Sequence, residues 1–558
     1  MPPTRPTKIP DSIWALALLL FCILVYAPGI AALPVTDRDE GLFAETTKQM
    51  IDSGDYLHPR FEAHDAFTKP IGVYWAQAVS VLSVGRDKQY AIWPYRLPSL
   101  LAMLLAVAMT WRLGGLLFDN SVAILGAAIL GTCPLAVIEA QIATTDAMLL
   151  ASTTLAMFCL ARVDLKVSAG EPVSRVHPIG FWLALGLGIL FKGPVVPAVA
   201  AMTILTLVIW NRGVSSPSRL IRELRPGLGI LLAAAICLPW IVAITMASDG
   251  LFLKTFWHEI ATKFVHASQR HAGPPGYYFL ASLITFWPAS IVAPLAVWSA
   301  IRWRDRIDKS TQFCICWLVP AWIVLEVIPT KLPHYVLPMY PALALLTARA
   351  ALAPLQEWRE LISSTLGTTW LGLWLIASTL IAGAAFALLF MASGRSLPIL
   401  IPAIAIPLVT VAMLAQARAG RVAKALWIGV VAAIAMYPIL LSIALPAIDK
   451  LWLTDKVVSA VARNCSNPNW PMITIGYDEP SLQFASTRPV TAMGIRSATA
   501  YLKTHRDVIV LVDQEQEPWL KASAAAQGIQ IREVWSAEGF NYTIAKSTRL
   551  ALLVCDNR

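Results

Sequence analysis

The sequence predicts an α-helical polytopic membrane protein of about thirteen transmembrane helices, followed by a small C-terminal α/β domain. Three observations predict it. The 558 residues are 57% hydrophobic and only 14% charged, where a soluble globular chain averages about 45–50% apolar and about 25% charged. Apolar runs of about twenty residues, the length that crosses a bilayer's hydrocarbon core, recur through the first four-fifths of the chain. Lys and Arg concentrate in alternate loops, the asymmetry that places basic loops in the cytoplasm. The net charge of +10 is thereby a feature of topology, and nucleic acid is not among the expected partners.

Taken in order, crossings are predicted near residues 13–33, 96–117, 120–138, 143–162, 177–191, 193–211, 226–246, 277–300, 311–329, 336–354, 365–392, 398–416 and 426–446. The first follows a polar, basic Met1–Pro10 and is long enough to span, where the apolar core of a cleavable signal would be shorter. With the N-terminus inside, the inner loops and helix ends carry Arg162, Lys166 and Arg175, then Arg212, Arg219, Arg222 and Arg225, then Arg302, Arg304, Arg306 and Lys309. Arg349, Arg359, Arg418, Arg421 and Lys424 continue the series, whereas the short outer connections hold single cations, Lys192, Lys331 and Arg395. Segments 34–95 and 247–276 and everything from about 447 then lie outside.

Segment 34–95 is too long for a connector and is expected to be structured. Glu40 to Ser53 has helical spacing, with Phe43, Thr47, Met50 and Ile51 on one face. Pro70 to Val84 is apolar but short of a span; counting it as a crossing would put every later basic loop outside, so it is assigned to the membrane interface. Beyond the transmembrane unit 1–446, Ile473–Ile475 and Val508–Val512 read as strands, with Ser497–Thr504 and Trp519–Gln527 as helices. That alternation suggests an α/β domain over 447–558. Its two cysteines, Cys465 and Cys555, lie in a compartment where disulfides persist, so a bond between them is expected. The alternative is two separate buried thiols, with Cys555 extending a final strand through Leu552, Leu553 and Val554. The other six cysteines fall in apolar spans.

Ionisable groups gather where the outer segments meet the bilayer. Asp37-Arg38-Asp39-Glu40 follows the first span; helix capping accounts for one carboxylate, and three within four residues exceed that need. Lys69 precedes Pro70 and Tyr74-Trp75, and Lys192 ends a span; for both, snorkelling to the interface is the alternative. Asp146 opens a span, where capping again is the alternative. His258, Glu259, His266, Arg270 and His271 share one outer loop, and His with carboxylate can hold zinc. A divalent metal, zinc or magnesium, is the cofactor this admits, although no HExxH spacing is present and a solvated loop face explains the residues as well. Lys331, His334 and Tyr335 occupy a short outer turn. Ionisable groups at membrane depth are costly and default to functional sites. No glycine-rich nucleotide loop is present, so the expected donor is lipid-borne with an anionic head.

Asp39-Glu40, Ala44-Glu45, Ser53-Gly54-Asp55, Lys69-Pro70-Ile71 with Tyr74-Trp75, Thr145-Asp146, Lys192-Gly193, Glu259 to Tyr277-Tyr278, and Lys331-Leu332-Pro333 with Tyr335 carry a resemblance in order and spacing. In these the chain resembles the GT-C glycosyltransferases that use polyprenyl-phosphate sugars, including protein O-mannosyltransferases. It is most similar to the bacterial family that moves 4-amino-4-deoxy-L-arabinose from undecaprenyl phosphate to lipid A. The resemblance implies a GT-C fold in the bacterial inner membrane, with the site and C-terminal domain periplasmic. It implies catalytic Asp39, Glu40 and Asp146, and Lys69, Lys192, Arg270, Lys331, Tyr74 and Tyr335 for the carrier phosphate and substrate. Such transferases often have an acid before the Lys-Pro; here it is Thr68, for which Glu62, His64 or Asp65 would substitute in metal binding. In a protein O-mannosyltransferase Asp39 would act as general base. A lipid-linked-sugar transporter would show midplane charges and internal repeats, and neither is seen.

Overall fold

In hydrocarbon a backbone must satisfy its own polar groups, which a helix does within one segment. The computed structural model describes residues 11–211, 217–265, 272–302, 307–353, 355–391, 397–465, 467–505 and 507–555, and 71% of these described residues are helical. After α1 (Asp11–Ala32) the chain forms α2 (Asp39–Ser53), a hairpin of β1 (Arg60–Phe61) and β2 (His64–Asp65), and α3 (Gly72–Val84). Then come α4 (Trp93–Leu117), α5 (Asn120–Thr132), α6 (Pro134–Glu139), α7 (Asp146–Ser168), α8 (Val176–Lys192) and α9 (Val195–Trp210). Next are α10 (Pro217–Glu223), α11 (Pro226–Ala247), α12 (Leu251–Val265), α13 (Tyr277–Thr285), α14 (Ala293–Arg302) and α15 (Lys309–Val327). The helical region closes with α16 (Tyr340–Ala351), α17 (Leu355–Ser363), α18 (Thr365–Met391), α19 (Leu397–Arg418) and α20 (Val422–Ile439).

Among the described residues, eight helices are long and apolar enough to cross a membrane: α1, α4, α7, α11, α15, α18, α19 and α20. The remaining expected crossings fall on shorter or interrupted helix. α8 and α9 have 17 and 16 residues. Cys133, held extended by the following Pro134, separates α5 from α6, and a 3-10 segment, Pro333–Met339, precedes α16. α3 has 13 residues and reaches about 20 Å, short of a hydrocarbon core of about 30 Å. α7 is the central helix: 78% of its apolar window is buried, against 28–50% for the other candidate spans. Its Ser152, Thr153 and Thr154 hydroxyls donate to carbonyls four residues back, which satisfies them inside the bundle.

The C-terminal residues build α21 (Leu453–Asn464), β3 (Met472–Ile475), α22 (Pro480–Ala485), β4 (Val490–Ala492), α23 (Ile495–Thr504), β5 (Val508–Asp513), α24 (Glu517–Ala526), β6 (Arg532–Asn541) and β7 (Lys546–Cys555). The sheet order is β4-β3-β5-β7-β6, parallel from β4 to β5, with β7 antiparallel to both β5 and β6. Side chains alternate faces along a strand: Leu550, Leu552 and Val554 of β7 join one core with Cys465, while Ala551, Leu553 and Cys555 join the other. The expected disulfide is therefore corrected. Neither cysteine is in a disulfide; both are buried, on opposite faces of the sheet, and the strand-extension alternative holds for Cys555.

This domain sits on α2. Lys48, paired with Glu45 at 2.6 Å, donates to the carbonyls of Gln483 and Phe484 at the end of α22, where a cation suits the helix terminus. Gly41 brings α2 so close that an added Cβ would lie 2.6 Å from the Ser481 nitrogen.

Candidate active site

α7 and α8 pack as consecutive antiparallel helices, so the first residue of one meets the last residue of the other. Lys192 Nζ stands 2.5 Å from Asp146 Oδ1 and 5.6 Å from the Tyr335 ring centroid. An acid at a helix N-terminus and a base at a C-terminus each suit the helix dipole, so the pair costs neither helix its stability. Asp39 opens α2 and is exposed, and its charge acts on Glu139, His334 and Tyr335. Lys69 lies before α3 with Nζ 3.6 Å from Glu259 Oε1 of α12. Segments distant in sequence thus gather Asp146, Lys69, Lys192 and Tyr335 around one cleft, within reach of the Asp39 charge.

A cavity of about 240 Å³ opens there. Lys69, Lys192, Glu259 and Tyr335 give it a polar lining, and apolar residues such as Val199, Met202 and Val324 line it along α9 and α15. A charged mouth over an apolar passage suits an amphiphile with an anionic head.

Several expected site residues do other work. Glu40 faces away from the cleft: it is 1% exposed and pairs with Arg96 at 2.8 and 2.9 Å. Arg96 also donates to the carbonyls of Ile30, Leu33 and Pro34, so this pair bolts α1, α2 and α4 together. Burial would raise the Glu40 pKa, but the Arg96 charge and hydrogen bonds hold it below the usual carboxylate range. Lys331 is 4% exposed and caps the end of α15, donating to the carbonyls of Leu325 and Glu326 at 2.7 Å each. Tyr74 is fully buried edge-on to Phe43, its hydroxyl without a hydrogen-bond partner among the described residues.

Of the expected metal set, only His258 and Glu259 lie among the described residues, and they do not converge. His258 is exposed on α12 while Glu259 turns to Lys69; His266, Arg270 and His271 lie outside the described residues. Nor do the substitutes for an acid at Thr68 reach the cleft. Glu62 accepts from Gln483 of the C-terminal domain at 2.5 Å, His64 is exposed, and Asp65 pairs with Arg60 at 3.7 Å. The carboxylate beside Lys69 comes instead from Glu259, distant in sequence.

Glu139, Asp146 and His334 do converge, with one potential ligand atom each within 4.8 Å of the others. Glu139 escaped the sequence reading because it ends an apolar run, although a lone acid at such depth is itself a signal. The trio fits a divalent ion poorly: the Lys192 ammonium already occupies Asp146 Oδ1, and a second cation beside it would be repelled.

Residues 68–242 match the family model described as dolichyl-phosphate-mannose-protein mannosyltransferase. The undecaprenyl phosphate-alpha-4-amino-4-deoxy-L-arabinose arabinosyl transferase of Erwinia tasmaniensis is 28% identical over 342 residues, 60% of this chain and 59% of that protein. Its namesake from Aeromonas salmonicida is 29% identical over 360 residues, 62% and 61% respectively. The match spans about three-fifths of the length of these curated relatives. Over 97% of this chain and 98% of the other, the fold matches crystalline ArnT from Cupriavidus metallidurans bound to undecaprenyl phosphate, with TM-score 0.76 and 18% identity. The archaeal oligosaccharyltransferase AglB from Archaeoglobus fulgidus matches with TM-score 0.54 and 11% identity, covering 92% of this chain and 71% of that one. The chain has the GT-C fold.

Proposed function

We propose that the protein transfers 4-amino-4-deoxy-L-arabinose from undecaprenyl phosphate to a phosphate of lipid A at the periplasmic face of the inner membrane. The observation that carries this reading is the cavity with Lys69 and Lys192 at its mouth and apolar walls along α9 and α15, the shape of a polyprenyl phosphate. A lipid acceptor phosphate oxygen attacks the anomeric carbon. The carbon–oxygen bond to the carrier breaks, and its electron pair leaves with undecaprenyl phosphate. Lys69 and Lys192 stabilise that growing charge, and one such preorganised donor is worth about 2.7–4 kcal/mol. Asp146 orients Lys192. The acceptor phosphate is already ionised, so Asp39 has no proton to remove; it orients the acceptor and stabilises positive charge on the sugar. No step is routed through a metal.

The matched family model favours a second reading, with a polyprenyl-phosphate mannose donor and a protein hydroxyl acceptor, in which Asp39 is the general base. Mass spectrometry of lipid A from cells with and without the protein separates them. A shift by one aminopentose supports the first; unchanged lipid A with altered secreted glycoproteins sinks it. Orientation rests on the basic loops, and a cysteine placed in 301–310 that reacts with an impermeant thiol reagent in spheroplasts would overturn it.

A further inference from the structure

Immediately before Asp39, Arg38 adopts φ 63°, ψ −114°. A positive φ is uncommon outside glycine, and this ψ lies far from the left-handed helical basin that accommodates such residues. Strained backbone of this kind persists where surrounding contacts over-determine it. The contacts come from the far end of the chain. Tyr542, in the turn between β6 and β7, accepts the Asp37 N–H on its hydroxyl at 2.7 Å. The Arg38 guanidinium donates to the Thr543 carbonyl at 2.8 Å. The turn is itself braced: Glu479 Oε1 accepts from Asn541 Nδ2 at 2.9 Å and from Thr543 Oγ1 at 2.5 Å. On the other side, the Arg38 carbonyl accepts the Leu42 N–H at 2.9 Å, so the strained residue leads directly into α2.

We infer that the β6–β7 turn of the C-terminal domain, through Tyr542 and Thr543, is a positioning element of the active site that clamps Asp37-Arg38 and so aims Asp39 into the cleft. The inference rests on the reading of Asp39 as the carboxylate that faces substrate. It gives the C-terminal domain a part in turnover, because Asp39 inherits its direction from a hydrogen-bonded turn roughly 500 residues away. Arg38 and Tyr542 are positioning residues: neither is required to touch the sugar.

The test is steady-state transfer by the full-length protein in detergent, using the undecaprenyl-phosphate-linked aminopentose and lipid A. Misplacing a reacting group by about 1 Å costs roughly 100-fold, so Tyr542→Phe and Arg38→Gly are expected to lower kcat by about 10–100-fold while KM for the carrier holds. Arg38→Gly is the sharper variant, because glycine relieves the backbone strain and spares the fold while removing the tie to Thr543. Arg38→Lys, which keeps a donor for Thr543, is expected to restore most of kcat. Wild-type kcat in Arg38→Gly, or a raised KM at unchanged kcat, overturns the inference. If the functional reading itself is wrong, the wild-type protein transfers no aminopentose, which is distinct from an active wild type matched by its variants.

Discussion

Replacing Glu40 by Gln keeps the size of the side chain and removes the charge that faces Arg96. Both side chains are 0% exposed, so Arg96 would remain as a buried cation with carbonyl oxygens for company. The same carboxylate accepts the N–H groups of Thr36 and Ala143, both at 2.8 Å, which an amide accommodates only in part. Removing one partner of a buried ion pair costs about 3–5 kcal/mol; Gln retains one acceptor and should sit near the lower end, Glu40→Ala near the upper. The assay is thermal unfolding of the detergent-purified protein by tryptophan fluorescence, beside transfer measured per folded molecule. The expected outcome is a lowered melting temperature with turnover retained by the molecules that fold. Because Arg96 depresses the Glu40 pKa, this stability is present above the unfolded carboxylate's pKa and fades as pH falls through the folded one. Glu40→Gln should erase that acid-side dependence. Wild-type melting with transfer abolished would refute the reasoning and return Glu40 to the chemistry.

Lys331→Ala should destabilise by about 1–3 kcal/mol through the uncapped carbonyls of α15 and leave carrier affinity as it was, whereas Lys69→Ala should weaken carrier binding; equal losses of affinity in titrations would count against the assignment. Burial, with the charge of Glu479 adding to it, pushes the Asp37 carboxyl up to about 6. The folded protein then holds this proton more tightly than the unfolded chain, so stability falls as pH rises from about 4 to about 6 and is flat beyond. Asp37→Asn should remove that slope from melting curves. Chelation with EDTA should leave transfer unchanged, since Lys192 fills the place a metal would take beside Asp146; activity lost to EDTA and restored by zinc or magnesium would contradict it.

Residue chemistry and its order along the chain were enough to determine the membrane class, most of the helical segments and the boundary positions of Asp39, Lys69, Asp146 and Lys192, but not the breaks that divide the expected crossings 120–138 and 277–300. Hydropathy is a local property, and a charge at the edge of an apolar run is costly wherever the chain goes. The strands Ile473–Ile475 and Val508–Val512 were legible for the same reason, as short apolar runs bounded by polar turns. Which partner each of two like residues meets was a tertiary matter. Asp39 and Glu40 are neighbours, but successive residues on a helix point about 100° apart, so Asp39 is exposed while Glu40 turns inward to Arg96, 56 positions away. Lys192 ends α8 and Lys331 follows α15; the packing of α7 against α8 gives the first Asp146 at 2.5 Å, whereas the second turns back to the α15 carbonyls at 2.7 Å, with the Glu326 carboxylate at 3.9 Å. Cys465 and Cys555 share a domain, and the sheet between them keeps them apart. Sequence order carries cost and periodicity, whereas the partner that meets each costly group is set by which helix and strand faces come together in space.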